Sequence, residues 1–170
     1  MKLFRLFGWL LVCAMLCVGC TKSEQPASAS DNFAPTHAQP KLRTMKMYLG
    51  AETLDVELAL TMEQEATGMM FRTNITDTDA MIFVFPVPQR ASFWMKNCPE
   101  SISAAYINTD GMIEEIHHLE KEDTNAVLAA TTDIQYVLEV SDGWFARHNI
   151  ATGAVMRTEK GTLAETFFAH

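Results

Sequence analysis

Two stretches of alternating apolar residues, 54–60 and 134–140, constrain the fold of this chain more than any other feature. Their apolar members are Leu54, Val56, Leu58, Leu60, Ile134, Tyr136, Leu138 and Val140. A period of two predicts β-strands that bury one face and expose the other. The residues between them, Asp55 and Glu57 included, are therefore expected to face solvent.

The rest of the chain adds short strands and very little helix. Residues 80–85 are continuously apolar and predict a central strand, and shorter patterns predict strands at 45–49, 91–97 and 154–158. The Asp110-Gly111 pair predicts a hairpin, because it supplies the positive φ that primed turns need. Thr61 followed by Gln64 is a capping box, which predicts the start of a short helix. A second short helix is expected at 144–148. The chain is therefore expected to be all-β, a single β-sandwich over residues 44–158, with an unassigned tail at 159–170.

The first 19 residues have the features of a secretory signal peptide. Lys2 and Arg5 precede an apolar run over 6–18 that is too short for a confident membrane span. Residues 16–20, Leu-Cys-Val-Gly-Cys, resemble a bacterial lipobox, which predicts lipidation of Cys20. Ordinary secretion, with cleavage near Gly19 or Ala27, is the alternative. Residues 20–43 are polar and rich in proline, and they predict a flexible tether.

Charge and location follow from that processing. Loss of residues 1–19 removes Lys2 and Arg5 and changes the net charge from −8 to −10. Such an acidic chain is a poor candidate for binding nucleic acid. The expected location is the bacterial envelope, facing the periplasm, with the lipid on Cys20 as the membrane contact. Thr21, rather than Asp, follows Cys20 and favours the outer membrane over the inner one. With Cys20 acylated, only Cys98 keeps a thiol, so no intramolecular disulfide is expected.

The candidate binding residues are Arg72, Trp94, Lys96 and Asn97. A tryptophan surface beside directed Lys, Arg and Asn donors suits a small anionic or carbonyl-bearing ligand. In the alternative interpretation, Trp94 fills the core and Arg72 ties down a loop. If residues 91–97 form a strand, Trp94 and Lys96 lie on one face and Asn97 on the other. A pocket that uses all three must then lie where the strand ends.

Catalysis and metal binding have weaker support in the sequence. Cys98 could be a nucleophile only with a base such as histidine within hydrogen-bond reach. His117 and His118 are adjacent on a predicted strand and point to opposite faces, so they do not chelate one ion together. The methionines occupy apolar positions of the patterns and are expected to fill the core. We therefore expect no cofactor, no metal and no catalytic residue. A hydrolase that uses Cys98 or a bound metal is the alternative.

Five motifs in order resemble the uncharacterised domain-of-unknown-function family 192. They are residues 68–72 (GMMFR), 80–86 (AMIFVFP), 93–97 (FWMKN), 106–113 (YINTDGMI) and 136–140 (YVLEV). The resemblance implies a compact, jelly-roll-like β-sandwich that is often exported, and it implies no activity. It also marks Ser103, which stands at the family's Asp/Ser position, as a further binding candidate. Cys98 replaces the family's usual threonine. The expected function is thus an envelope lipoprotein that binds a small anionic ligand or a partner protein.

Overall fold

The computed structural model describes residues 34–169, which form a strongly curled eight-stranded β-sheet, a two-stranded sheet and three short helices. The elements are β1 (Thr44–Leu49), β2 (Glu52–Ala59), α1 (Met62–Thr67), β3 (Ala80–Gln89), β4 (Ser92–Phe93), β5 (Ile102–Asn108), β6 (Ile113–Leu119), β7 (Val127–Leu128), β8 (Ile134–Ser141), α2 (Trp144–Arg147), β9 (Met156–Thr158), β10 (Gly161–Thr162) and α3 (Leu163–Phe167). Eight strands pair in the order β10-β9-β1-β2-β3-β8-β5-β6, and β4 pairs with β7 separately. The predicted all-β class is confirmed.

The two ends of the sheet curl toward each other. All pairs in the sheet are antiparallel except β2–β3, whose crossover carries α1. At the start of β6 the Ile113 N–H donates to the Ala154 carbonyl at 2.9 Å. The Met156 N–H, at the start of β9, donates to the Gly111 carbonyl at 2.8 Å. These bonds pair backbone groups that an open sheet edge would leave unpaired.

Apolar side chains cover both faces of the central strands. Along β3, Ala80, Ile82 and Val84 enter one core cluster, and the alternate residues enter a second one. The first cluster includes Trp144 of α2 and Leu163 of α3. The second is closed by residues that follow α1 and by the loops around β4 and β7. The face of β8 that was expected to be wet is therefore buried. On β2, Asp55 faces solvent as expected, whereas Glu57 is buried.

The local signals for the helix and the hairpin are confirmed. The Thr61 hydroxyl accepts the Gln64 N–H at 3.3 Å, and the Gln64 side chain accepts the Thr61 N–H at 3.2 Å, which completes the capping box. In the hairpin, Gly111 has a φ of +81°, and a Cβ there would lie 3.0 Å from the Met156 carbonyl. Glycine is thus required both by the turn and by the close approach of the chain before β9.

The ordered region extends beyond the predicted bounds of 44–158 at both ends. Gln39 donates to the carbonyls of Gln64 and Gly68, and the Leu42 N–H donates to Glu57. Residues 39–43 therefore contact the fold, although they were assigned to the tether. At the other end, β10 and α3 form within the predicted tail because Leu163 is fully buried in the core.

One of the predicted strands has a different length in the structure. The predicted strand 91–97 is shorter than expected, because β4 covers only Ser92–Phe93 and a turn follows. Across residues 34–169, no helix is both long and apolar enough to cross a membrane. The predicted signal peptide and the predicted lipidation site, Cys20, lie outside the described residues.

Candidate functional site

A cavity of about 290 Å³ opens between the end of α1, β3, β4 and β8. We call it the Glu139 cavity, after the carboxyl group that it contains. Its apolar walls include Met69, Phe83, Phe85 and Phe93, and polar side chains complete its lining. The polar members include Glu65, Arg90, Trp94, Cys98 and Glu139. An apolar pocket with a few polar groups is typical of a small-molecule site.

Glu139 is the most unusual group in the cavity. It lies on β8 opposite Met81 of β3, which in turn pairs with Glu57 of β2, so both carboxyl groups belong to one face of the sheet. Glu139 is 5% exposed, and its Oε2 has no hydrogen-bond partner among the described residues. Burial raises the pKa of Glu139 to about 8, against an opposing effect of Arg72. The side chain is therefore mostly a neutral acid at pH 7.

Glu57, the other buried carboxyl of this face, has the opposite protonation state. Arg72 donates to its two oxygens at 2.7 and 2.8 Å, and the Leu42 N–H donates at 2.7 Å. Burial raises the pKa of Glu57, but the bonds from Arg72 and Leu42 outweigh it, so the pKa lies below its ordinary value. The Arg72 fork is thus occupied by Glu57, and Arg72 itself lines a different surface depression.

Trp94 and Lys96 lie together at the mouth of the site. Trp94 lines the Glu139 cavity and remains 46% exposed, as a side chain at a rim would be. The Lys96 Nζ lies 5.3 Å from the centroid of the Trp94 ring, within the range of a cation–π contact. Behind Trp94, Phe93 packs edge-on against Phe83 with ring centroids 4.9 Å apart. Of the five predicted binding residues, Trp94 is the one that lines the cavity.

Asn97 holds the turn that follows. It has a φ of +60°, which asparagine tolerates better than most residues, and its carbonyl accepts the Phe71 N–H at 2.7 Å. Its side-chain amide lies 4.0 Å from the sulfur of Met70. Asn97 therefore fastens the segment after α1 to the segment after β4, and both segments contribute to the cavity wall.

Ser103 lies on the opposite face of the sheet from Glu139. It pairs with Val140, whereas Glu139 pairs with the next residue along β5, Ala104. The Ser103 hydroxyl accepts the Gly143 N–H at 2.9 Å and donates to Asp142 at 3.4 Å. Its observed role is to fix the turn between β8 and α2, away from the other four predicted residues.

Cys98 lines the cavity as a buried thiol. Burial first, and the nearby Glu139 second, raise its pKa to about 12. Its Sγ lies 3.7 Å from the Lys96 carbonyl. The thiolate, which is the nucleophilic form, is therefore a very minor species at neutral pH, and this disfavours the hydrolase alternative that uses Cys98.

The two histidines of β6, His117 and His118, pair with carboxylates outside the cavity. His117 contacts Glu115 at 2.8 Å, and His118 contacts Asp142 at 2.7 Å. Within residues 34–169, no three side chains of His, Cys, Asp or Glu converge as a metal site would need.

The sequence reasoning did not identify Glu139 or Glu57 as site residues. Strict alternation placed both on wet faces, because a glutamate between apolar residues usually marks the solvent side. One feature of the sequence that indicates burial of Glu139 is Val137, an apolar residue on the same face of β8. The other was the position of Glu139 inside the motif of residues 136–140.

Comparison with known proteins supports the family and the fold. The family model of DUF192, described as "Uncharacterized ACR", matches residues 45–158. A protein of unknown function from Novosphingobium aromaticivorans DSM 12444 has 28% sequence identity and a TM-score of 0.66, and the match covers 73% of this chain and 93% of that protein. A Sinorhizobium meliloti 1021 protein, described as a candidate transcription regulator, has 24% sequence identity and a TM-score of 0.66, and the match covers 71% of this chain and 98% of that protein. No curated protein matches the chain.

Proposed function

The chain belongs to the DUF192 family, and from that premise we propose that it is an envelope lipoprotein whose domain binds a small molecule in the Glu139 cavity. The observation that carries the proposal is a buried carboxyl group, without a partner at Oε2 among the described residues, in a cavity of about 290 Å³. Buried polar groups are almost always hydrogen-bonded, and an unpaired one calls for an explanation. A ligand that donates a hydrogen bond to Glu139 supplies one.

The chemistry of the cavity favours a hydrogen-bond donor over the anion expected from the sequence. Arg72, the expected anion-binding residue, is paired with Glu57 through both terminal nitrogens. Arg90 reaches the rim, and its Nε donates to the Ala129 carbonyl at 2.6 Å. An anion placed near Glu139 would meet a carboxyl group and apolar walls, which makes it the poorer occupant. A partner protein that contacts the exposed Trp94 remains compatible with this site.

A thermal-shift screen of envelope metabolites tests the binding proposal. Wild-type protein is compared with Trp94→Ala, which alters the rim, and with Val87→Ala, a matched control at an exposed apolar position outside the cavity. We expect ligands that raise the unfolding midpoint of the wild type and of Val87→Ala, and a smaller shift for Trp94→Ala. If no compound shifts any midpoint while Trp94→Ala unfolds at much lower temperature, Trp94 is structural and the proposal fails.

The anchoring part of the proposal has its own test. It assigns residues 1–19 to a signal peptide, Cys20 to lipid attachment and the following residues to a tether, with the domain facing the periplasm. Two or three acyl chains on Cys20 would hold the protein on the membrane, since one chain alone binds marginally. Palmitate labelling should be strong for wild type and absent for Cys20→Ala. Equal labelling of the two proteins would refute lipidation at Cys20.

A further inference from the structure

The same face of the sheet carries two buried carboxyl groups, and the protein supplies a cation to one of them. Glu57 receives both terminal nitrogens of Arg72 and one backbone N–H. Glu139, two strands away in the same row, receives no donor at Oε2 from the part of the chain that the structure describes. The positive charge of Arg72 reaches Glu139 only through space. Glu139 is thus the carboxyl for which a ligand could provide the counter-charge.

Gly68 keeps the approach to Glu139 open. Its φ of +48° is in the region that favours glycine, and it ends α1 directly beside the carboxyl group. A Cβ at this position would lie 3.2 Å from Cζ of Phe83 and 3.7 Å from Oε2 of Glu139. Any side chain here would therefore occupy the space through which a small group reaches the carboxyl.

The remaining lining suits an apolar body with a positive end. Phe83, Phe93 and Met69 form apolar walls, and Trp94, whose ring lies beside the Lys96 ammonium, adds an aromatic surface at the rim. Glu65 adds a second carboxyl group to the lining. The negative net charge of the chain also favours the approach of cations over that of anions.

We propose, on the basis of the binding function proposed above, that the Glu139 cavity takes a small organic amine. Its ammonium group donates to Oε2 of Glu139, and its apolar body packs against Phe83, Phe93 and Met69. This assigns a ligand class to the site: primary alkylammonium compounds, in preference to alcohols, amides or carboxylates of the same length.

Proton release gives the proposal a distinctive signature. In the free protein the pKa of Glu139 is about 8, so the acid is mostly protonated at pH 7. An ammonium ion binds its ionised form, so binding at pH 7 releases close to one proton. Affinity should therefore rise by up to about tenfold per pH unit below pH 8 and level off above it.

Three other ionisable groups near Glu139 do not supply that proton. Arg72 remains charged, because its hydrogen bond to Glu57 raises its pKa. Cys98 and Tyr106 are held neutral by burial, which raises the pKa of each well above 8. At the cavity lining, burial raises the pKa of Glu65 from its ordinary value, so the loss of proton release in Glu139→Gln is what assigns the proton to Glu139 rather than to Glu65. Arg90 places a guanidinium group at the rim.

The test is isothermal titration calorimetry on the full-length chain in nonionic detergent, with matched detergent blanks. The probes are n-butylammonium chloride, n-butanol, butanamide and sodium butyrate, each titrated at pH 6, 7 and 8. Measurements at pH 7 in phosphate and in Tris, which have different ionisation heats, give the number of protons released. We expect n-butylammonium to bind at least tenfold more tightly than the other three probes, with close to one proton released.

Two variants complete the test. Glu139→Gln preserves shape and should weaken n-butylammonium binding at least tenfold and abolish proton release. Glu159→Gln, at an exposed position away from the cavity, should behave as wild type. Tight amine binding to Glu139→Gln overturns the proposal. Wild-type binding without proton release also overturns it, and this second result does not depend on whether Glu139→Gln folds well.

The outcomes separate the ligand class from the binding function. The amine assignment fails if butanol or butanamide binds as tightly as n-butylammonium. It also fails if a metabolite of another class raises the unfolding midpoint while no amine binds. In both cases the cavity remains a binding site. If neither these probes nor any compound of the metabolite screen binds, the binding function fails as well.

Discussion

At the scale of single residues, Glu57 and Glu139 show how neighbours set the protonation state of a buried acid. Both lie on one face of the sheet and both are at least 95% buried. Two bonds from Arg72 keep Glu57 ionised, whereas Glu139 lies among apolar groups and its pKa rises to about 8. Two similar carboxyls with divergent pKa values are often the sign of a functional site.

Glu139 should make the folded state less stable as pH rises. In the unfolded chain it ionises near its ordinary pKa of 4.5, and in the folded chain near 8. Between these values only the unfolded chain loses the proton, so the free energy of unfolding falls across this window and levels off above it. The total effect is a few kcal/mol, at about 1.4 kcal/mol per pH unit.

Urea denaturation of Glu139→Gln from pH 4 to pH 9 measures that effect. The glutamine variant should lose the part of the pH dependence that lies between about pH 4.5 and 8. Glu159→Gln, whose side chain is exposed, should keep the wild-type curve. Parallel curves for wild type and Glu139→Gln would show that Glu139 ionises normally in the folded protein.

Removal of Arg72 should lower the free energy of unfolding, because Glu57 would then be buried without its cation. Arg72→Ala leaves Glu57 without its cation at a site that is 3% exposed, and we expect a loss of about 3–5 kcal/mol in the free energy of unfolding. The double variant Arg72→Ala/Glu57→Gln should recover part of this loss, because an amide is cheaper to bury than a carboxylate. A loss below about 1 kcal/mol for Arg72→Ala, by urea denaturation, would contradict the buried ion pair.

At the scale of elements, α1 and the turn after it form one wall of the cavity. The capping box at Thr61 satisfies backbone N–H groups at the start of a helix only six residues long. Thr61→Ala should therefore lower the free energy of unfolding by about 1 kcal/mol, and Thr61→Ser should retain most of the stability. Amide hydrogen exchange should also accelerate over α1 in the alanine variant. Equal stability of the three proteins would show that the cap contributes nothing.

The elements also show what local sequence can predict. The hairpin at Asp110-Gly111 and the start of α1 were predictable, because both depend on residues within five positions of each other. Burial of Glu57 and Glu139 was not, because it depends on a second layer that α1 and the loops around β4 and β7 place over the sheet. The site was therefore predictable at its rim, through Trp94, and not at its floor.

At the scale of the whole molecule, the curl of the sheet brings the C-terminal residues onto the core. Leu163 of α3 is fully buried, and the rings of Phe167 and Phe168 lie 6.3 and 6.2 Å from that of Tyr136. The residues after Thr158 carried no recognisable period, because β10 and α3 are too short to display one. Their place in the core depends on contacts with distant strands, which local pattern does not encode.

Truncation tests whether these last elements belong to the folding unit. A chain that begins at residue 34 and ends at Thr158 loses α3 and its buried Leu163, and it should unfold at much lower urea concentration than the same chain ending at His170. Because Leu163→Ala alone should cost about 2–5 kcal/mol, the truncation should cost at least as much. The matched control ends at Phe168 and keeps α3, so its unfolding midpoint should equal that of the chain ending at His170. If the chain ending at Thr158 is as stable as this control, the fold is complete without α3, and the packing of Leu163 adds nothing to stability.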